Sequence, residues 1–281
     1  MNTPNWIKGI LLASRVPNLL IIGVTQYCSA YMLTRHGLMD DIGLHVYLLI
    51  LSTMLVAAGG YIINDYYDLK IDMVNRPDRV VVGRELSRRK ALLTHTLISL
   101  LAVLMGLYIS WQVALLHTFS VTVLWYYSNY LRRIFIGKAV IAMLTAISIL
   151  MVGLAFGVVS YRLMAFAAFG AVIVWIREII KDMENAPGES AFGVESVPSV
   201  WGYRGAKTFI MIIATIGCLL LAYFIYKVQS PIFTYYYLSL IPFLIGFGLL
   251  LTGSDRRQHY RRLRHFTNLL ILAGVLSMLF V

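Results

Sequence analysis

Three oxygen-bearing side chains recur at four-residue intervals in one stretch of this chain. They are Asn64, Asp68 and Asp72, in Gly60-Tyr-Ile-Ile-Asn64-Asp65-Tyr-Tyr-Asp68-Leu-Lys-Ile-Asp72. An i, i+4, i+8 spacing stacks them on one face of a helix. Like charges so placed repel, and an acid at the middle of a membrane helix costs about 2.5–3.5 kcal/mol, so such a face calls for a cation. Hard oxygen donors with open positions suit magnesium, which takes one or two carboxylates and completes its shell with phosphate oxygens and water. The plainer alternative is a solvated helix end in a surface loop. A second cluster, Arg177-Glu178-Ile-Ile-Lys181-Asp182-Met-Glu184-Asn185-Ala-Pro187-Gly188-Glu189, again gathers acids and cations. Alone it reads as a Pro-Gly turn with solvated charges. As a pair, the two clusters can face each other across a cavity and hold two metal ions around one diphosphate.

The elements that must position these clusters follow from composition. The chain has 281 residues, 59% hydrophobic and 13% charged, against about 25% charged residues in soluble domains. Charge-free runs cover residues 16–34, 42–64, 91–131, 139–161, 163–176, 208–226, 228–254 and 265–281, and a spanning helix needs about 20 apolar residues. The run at 91–131 would be roughly 60 Å long as one helix; it divides into two near Ser110, Trp111 and Gln112. The run at 163–176 is completed by Ile179 and Ile180, beyond Arg177 and Glu178. The expectation is an all-α, polytopic membrane protein with nine transmembrane helices around a central cavity. It forms one domain over residues 1–281, two related four-helix halves plus a ninth helix. Each acidic cluster then follows the second span of its half.

The formal net charge is +11, from 24 Lys and Arg against 13 Asp and Glu. Sorted by loop, 21 of the 24 fall on the side of the N-terminus, and only Arg35, Arg162 and Lys227 on the other. Lys and Arg accumulate on the cytoplasmic side. The N-terminus is therefore expected inside, the C-terminus outside, and the acidic helix ends facing the cytoplasm from the cell's inner membrane. Basic loops this short, without interleaved aromatics, disfavour nucleic acid as a partner, and no obligate protein partner is evident. Arg15 and Pro17 interrupt the N-terminal stretch, which does not read as a cleavable signal peptide. Cys28 and Cys218 are isolated inside spans and read as packing residues rather than a disulfide or zinc site. Walker, dinucleotide-binding and His-Glu-x-x-His motifs are absent.

On these residues the chain resembles the UbiA superfamily of membrane prenyltransferases. Asn64, Asp68 and Asp72 match its first motif, Asn-x3-Asp-x3-Asp, in full, and Asn75-Arg-Pro-Asp-Arg79 and Gly83-Arg-Glu-Leu-Ser-Arg-Arg89 continue the pattern. Arg15-Val-Pro-Asn18 and Tyr127-Ser-Asn-Tyr-Leu-Arg132-Arg133 extend the resemblance over nearly the whole chain. It departs in the second motif, which usually ends Gly-Asp-Arg and here reads Gly188-Glu189-Ser190. Val80-Val81-Val82 stands where a proline-rich stretch is common, and Lys138 where an asparagine is common.

The resemblance implies magnesium-dependent transfer of a prenyl group from an allylic isoprenyl diphosphate to a hydrophobic, lipid-type acceptor in the lipid bilayer. It implies metal ligation by Asn64, Asp68, Asp72, Asp182 and Glu189, with Asp68, Asp72, Asp182 and Tyr127 in the catalytic centre. Candidates for binding the diphosphate are Arg76, Arg79, Arg132, Lys181 and Lys207, each of which can instead be an ordinary positive-inside residue. Arg15 and Asn18 are candidates for an acceptor phosphate or carboxylate, unless Arg15 pairs with a nearby acid. Tyr61, Tyr66, Tyr67, Tyr126, Tyr127 and Tyr130 lie near the same helix ends, where they can shield a carbocation or form the usual interfacial belt. Within the family the wording is most similar to enzymes that transfer geranylgeranyl to geranylgeranylglyceryl phosphate; an aromatic acceptor of the quinone or chlorophyll type is the alternative. A secondary transporter, the rival of a different class, also uses two related halves with charges near its site. It expects them near the midplane, whereas here the acids lie at helix ends on one side.

Overall fold

The computed structural model describes residues 5–75, 77–135, 137–158, 160–190 and 193–280. Its elements are α1 (Asn5–Ala13), α2 (Val16–Arg35), α3 (Leu44–Asn75), α4 (Arg88–Ile109), α5 (Trp111–Asn129), α6 (Ala139–Ala155), α7 (Tyr161–Ser190), α8 (Val197–Val228), α9 (Pro231–Ser239), α10 (Ile241–Thr252) and α11 (Arg257–Ser277). Single 3-10 turns lie at Pro77–Arg79 and Leu131–Arg133. The fold is all-α, as expected; among the described residues no strand forms.

Local chemistry sets several boundaries. Ser110 ends α4 and opens α5, its hydroxyl oxygen accepting from the Val113 N–H at 3.2 Å, so the long charge-free run does break there. Pro17 sits in the first turn of α2 and Pro231 in that of α9, positions where the missing N–H has no helical partner to lose. Other boundaries differ from the runs. The expected span at 208–226 is the later part of a longer α8, bent at Gly202 with φ 68°. The run at 228–254 is divided into α9 and α10 around Leu240, just before Pro242.

Among the described residues six helices are long and apolar enough to cross a membrane: Val16–Arg35, Leu44–Val74, Arg88–Ile109, Tyr161–Ala186, Val197–Val228 and Pro231–Thr252, the last combining α9 and α10. Ala139–Ala155 is apolar but shorter. The remaining expected crossings carry more polarity, with Gln112, His117, Thr118, Ser120 and Thr122 in α5 and Arg257, Arg261, Arg262 and Arg264 in the first turns of α11. Large apolar side chains point outward, among them Leu104, Leu219 and Leu249 at 53%, 67% and 70% exposure, which suits lipid rather than water. The protein is an integral membrane protein.

Two helices act as hubs. α3 packs against α1, α2, α4, α5, α6 and α7, and α7 against α3, α6, α8 and α11. Buried polar contacts join α3 to α2, α4 and α5, and α2 to α6. Gln26 Nε2 donates to Thr53 Oγ1 and to the Ser148 carbonyl, each at 3.0 Å. His117 Nε2 meets Ser52 Oγ at 2.8 Å, and His95 Nδ1 meets the Gly59 carbonyl at 3.0 Å. Such bonds hold helices in a medium where apolar surface gains nothing by association.

The connection from α5 to α6 is folded back tightly. A Cβ on Gly137 would lie 1.8 Å from the Leu131 carbonyl oxygen, so no larger residue fits. The Glu195 N–H also donates to the Arg133 carbonyl at 3.0 Å, tying the loop to the approach to α8. Gly137→Ala is expected to cost about 3 kcal/mol, the upper range for overpacking, read as a lowered melting temperature in detergent. Gly43→Ala, where a Cβ meets nothing nearer than 3.6 Å, is expected to stay within about 0.5 kcal/mol.

Candidate active site

Both hub helices end in charge. On α3, Asn64 Nδ2 donates to Asp68 Oδ2, and Asp68, 3% exposed, forms an ion pair with Arg132. Asp65 receives Arg15, with Nη2 to Oδ1 at 2.6 Å. The Arg15 guanidinium lies 5.1 Å from the centre of the Tyr61 ring, and the Asn18 side chain lies close to the Tyr61 phenol. Asp72 follows one turn later, half-buried and within electrostatic range of Arg15.

On α7, Glu178 is held between Arg177 Nη1 at 2.7 Å and Lys181 Nζ at 3.0 Å. Arg177 Nε also donates to Asn268 Oδ1 of α11 at 2.6 Å. Asp182, 1% exposed, pairs with Lys138, Nζ to Oδ1 at 2.7 Å. Glu184 turns to α11, taking Arg264 at 2.8 Å and Arg261 at 3.3 Å.

The two sets meet. Asp65 interacts electrostatically with Lys181 and Arg132 as well as Arg15, and Tyr61 with Arg177 and Glu178. The tight connection before α6 supplies both halves: Arg132 at its start goes to Asp68, and Lys138 at its end goes to Asp182. The structure thus brings together Asn64, Asp68, Asp72, Arg15, Asn18, Arg132, Lys181 and Asp182. Tyr127 is buried in the last turns of α5. Lys207 does not join them, because Asp255 holds it at 3.0 Å and the Thr252 carbonyl at 3.1 Å, at the corner between α8 and α10. At that corner burial pushes the Tyr260 phenol up to about 12, with Asp255 and Tyr203 adding to the rise, so it remains a neutral donor to the Ser254 carbonyl at 2.8 Å. Tyr126 and Tyr130 face outward and pack on each other at 5.6 Å, as a belt does. Arg76 lies outside the described residues, as do the side chains of Arg79 and Glu189.

Three residues of the site were not among the expected ones. Asp65 takes the guanidinium of Arg15, the pairing with a nearby acid that the sequence leaves open beside a substrate anion. Glu178 is visible in sequence as an acid between two cations. Lys138 stands out only as a departure from the resemblance.

Among the described residues no three His, Cys, Asp or Glu side chains sit close enough to enclose a metal ion. The donor set still suits one. Asn64 and Asp68 place amide and carboxylate oxygens side by side, and magnesium needs only one or two carboxylates when phosphate oxygens complete its shell.

The chain belongs to the UbiA prenyltransferase family, whose sequence profile matches residues 24–270. Digeranylgeranylglyceryl phosphate synthase of Methanococcus maripaludis is 30% identical over 256 residues, covering 84% of this chain and 87% of the relative. The synthase of the same name from Methanothermobacter thermautotrophicus is 35% identical over 147 residues, 52% of each chain. A solved structure concerned with digeranylgeranylglyceryl phosphate synthase in membranes matches with a TM-score of 0.76 at 20% identity, covering 98% of this chain and 99% of that one. A UbiA homologue from Archaeoglobus fulgidus, solved with DMAPP and Mg2+, matches with a TM-score of 0.65 at 17% identity, covering 97% and 99%.

Burial decides what each ion pair is worth. Arg132→Ala strands Asp68 in a site where the two side chains are 10% and 5% exposed and is expected to cost about 3–5 kcal/mol. Arg15→Ala, at a guanidinium 36% exposed, is expected to cost about 1 kcal/mol. Thermal melts of the two variants in one detergent check the order.

Proposed function

We propose that this protein is a magnesium-dependent enzyme that transfers geranylgeranyl from its diphosphate to geranylgeranylglyceryl phosphate. The observation that carries the reading is the convergence of two acid-bearing helix ends, Asn64 to Asp72 and Glu178 to Asp182, on one shared set of cations. The Archaeoglobus homologue that binds DMAPP and Mg2+ supports the donor class. The relatives named digeranylgeranylglyceryl phosphate synthase support the acceptor.

Metal ligands are drawn from Asn64, Asp68, Asp72, Asp182 and Glu189. Bound magnesium supplies Lewis-acid neutralisation of the leaving diphosphate. Arg132 and Lys181, with Arg76 and Arg79, spread the remaining negative charge as the allylic carbon–oxygen bond breaks. Tyr127 offers an aromatic face to the developing allylic cation, and the packed helix ends exclude water from it. Arg15 and Asn18, where α1 turns into α2, orient the acceptor phosphate so that its hydroxyl reaches that carbon.

The domain is one unit, with α2–α5 and α6–α10 as related halves and α11 as the ninth crossing. α9 and α10 together make a single crossing, and α5 and α6 cross despite their polarity and length. The N-terminus and the site face the cytoplasm in the inner membrane, supported by the 21 of 24 Lys and Arg on that side.

The test incubates purified protein and magnesium with geranylgeranyl diphosphate and a panel of acceptors: geranylgeranylglyceryl phosphate, dihydroxynaphthoate, hydroxybenzoate and homogentisate. Product masses are expected to show the digeranylgeranyl ether, abolished by EDTA. Asp68→Ala is expected to lower kcat by about 100-fold or more. Transfer to an aromatic acceptor alone would reassign the acceptor. No magnesium-dependent transfer to any of them, or equal rates for wild type and Asp68→Ala, would contradict the reading.

A further inference from the structure

Only one side of α1 is covered by protein. Gly9 and Ala13 are buried and Ile10 is half-buried, and this side lies on the connection between α3 and α4. A Cβ on Gly9 would come within 3.0 Å of Leu86 Cβ and 3.2 Å of the Glu85 carbonyl oxygen, so glycine is what lets the helix rest directly on that connection. Val82 and Leu86 are buried in one cluster with Ala13 and Ile62, and Ile10 and Val81 pack against it. The Lys90 ammonium, 5.7 Å from the centre of the Trp6 ring, joins α1 to the start of α4 as well.

This contact orders a stretch that has no proline to stiffen it. Val80-Val81-Val82 does not lock φ as proline would. Val81 and Val82 are fixed instead by packing with α1 and by the turn after them, where the Gly83 N–H donates to the Leu86 carbonyl at 2.8 Å. The connection starts at the turn Pro77–Arg79, just beyond the charged end of α3. α1 also reaches the site from its own end, because Arg15 turns the chain into α2 with φ 53° and its guanidinium is on Asp65. One short helix thus holds two parts of the site.

The other side of α1 carries Lys8, Leu11 and Leu12, at positions i, i+3 and i+4, and the two leucines are 55% and 51% exposed. The exposed apolar series continues through Val16 to Leu20 of α2, a helix long and apolar enough to cross the membrane. The lipid that covers Leu20 therefore reaches Leu11 and Leu12. At nine residues α1 is too short to span, since about 20 are needed. A short helix with leucines on one side and a lysine beside them lies along the bilayer surface, its apolar side at the chain boundary and its ammonium among the headgroups.

We propose that α1 is a clamp held by the bilayer surface. Lipid takes its Leu11 and Leu12 side, and its Gly9 and Ala13 side keeps the connection between α3 and α4 in place beside the charged end of α3. α1 touches no substrate; it positions the connection and Arg15. Its effect on the prenyl donor rests on the function proposed above.

The test reads depth and mobility without needing turnover. The full chain with Cys28→Ala and Cys218→Ala carries one nitroxide, on Leu11→Cys or on Arg84→Cys of the connection, in vesicles of phosphatidylcholine and phosphatidylglycerol. The Leu11 label is expected to be relaxed more by oxygen, which concentrates in lipid, than by an aqueous nickel chelate. The Arg84 label is expected to be immobile, and to become mobile when Leu11→Glu and Leu12→Glu are added. That double variant is expected to bind an unreactive thiolo analogue of geranylgeranyl diphosphate about tenfold more weakly, the competent fraction having fallen by that factor, with its melting temperature unchanged. A Leu11 label that the chelate reaches as readily as oxygen overturns the inference, as does an Arg84 label equally immobile with and without the glutamates. If the double variant does not fold, the depth of the Leu11 label still decides. A wild type that fails to bind the analogue at all contradicts the proposed function instead, and the two label measurements still decide the clamp.

Discussion

Asp68 and Asp182 are 3% and 1% exposed, and a carboxylate so deeply buried needs an opposite charge within a few ångströms. Both partners come from one short stretch of chain, the connection between α5 and α6, with Arg132 at one end and Lys138 at the other. That connection exists in its folded-back form because Gly137 lets the backbone approach the Leu131 carbonyl. The two acid-bearing helices are in this way linked by charge as well as by packing. Arg15 adds a third link from the start of α2, through Asp65.

This arrangement fits the division of labour that a membrane prenyltransferase needs. Isoprenoid chains belong among apolar helix faces, and the diphosphate belongs where charge is concentrated. α3 and α7 carry apolar and charged turns on the same helices, with Ile62 and Ile63 of α3 and Ile176, Ile179 and Ile180 of α7 buried in the core beside the charged residues. Membership of the UbiA prenyltransferase family and the converging charges lead to the same reading from independent directions. The inward-facing acids are held by cations rather than left exposed to each other, which keeps mutual repulsion from splaying the two helices.

Much of this is legible in the sequence where the relevant physics is local. The face formed by Asn64, Asp68 and Asp72 follows from helical spacing, and the Asn64–Asp68 contact bears the spacing out. The division of the long apolar run at Ser110 follows from a residue that can cap a helix. What escapes is pairing across distance. Nothing near Asp68 points to Arg132, and nothing near Asp182 points to Lys138, because these partners are chosen by how α5, α6 and α7 pack. Charge-free runs measure length and not direction, so the bend of α8 at Gly202 and the division of α9 from α10 are invisible to them. A count of basic residues cannot tell Lys207, occupied by Asp255, from Lys181 inside the site.

Whether the ends of α3 and α7 form one diphosphate site is decided by a double-mutant cycle. The dissociation constant of an unreactive allylic diphosphate would be measured for wild type, Asp68→Asn, Asp182→Asn and the double variant. Groups that share one ligand and one network couple by about 0.5–3 kcal/mol, so the double variant is expected to depart from the sum of the singles by about 1 kcal/mol or more. Additive effects, agreeing within about 0.3–0.5 kcal/mol as for distant, independent positions, would contradict it.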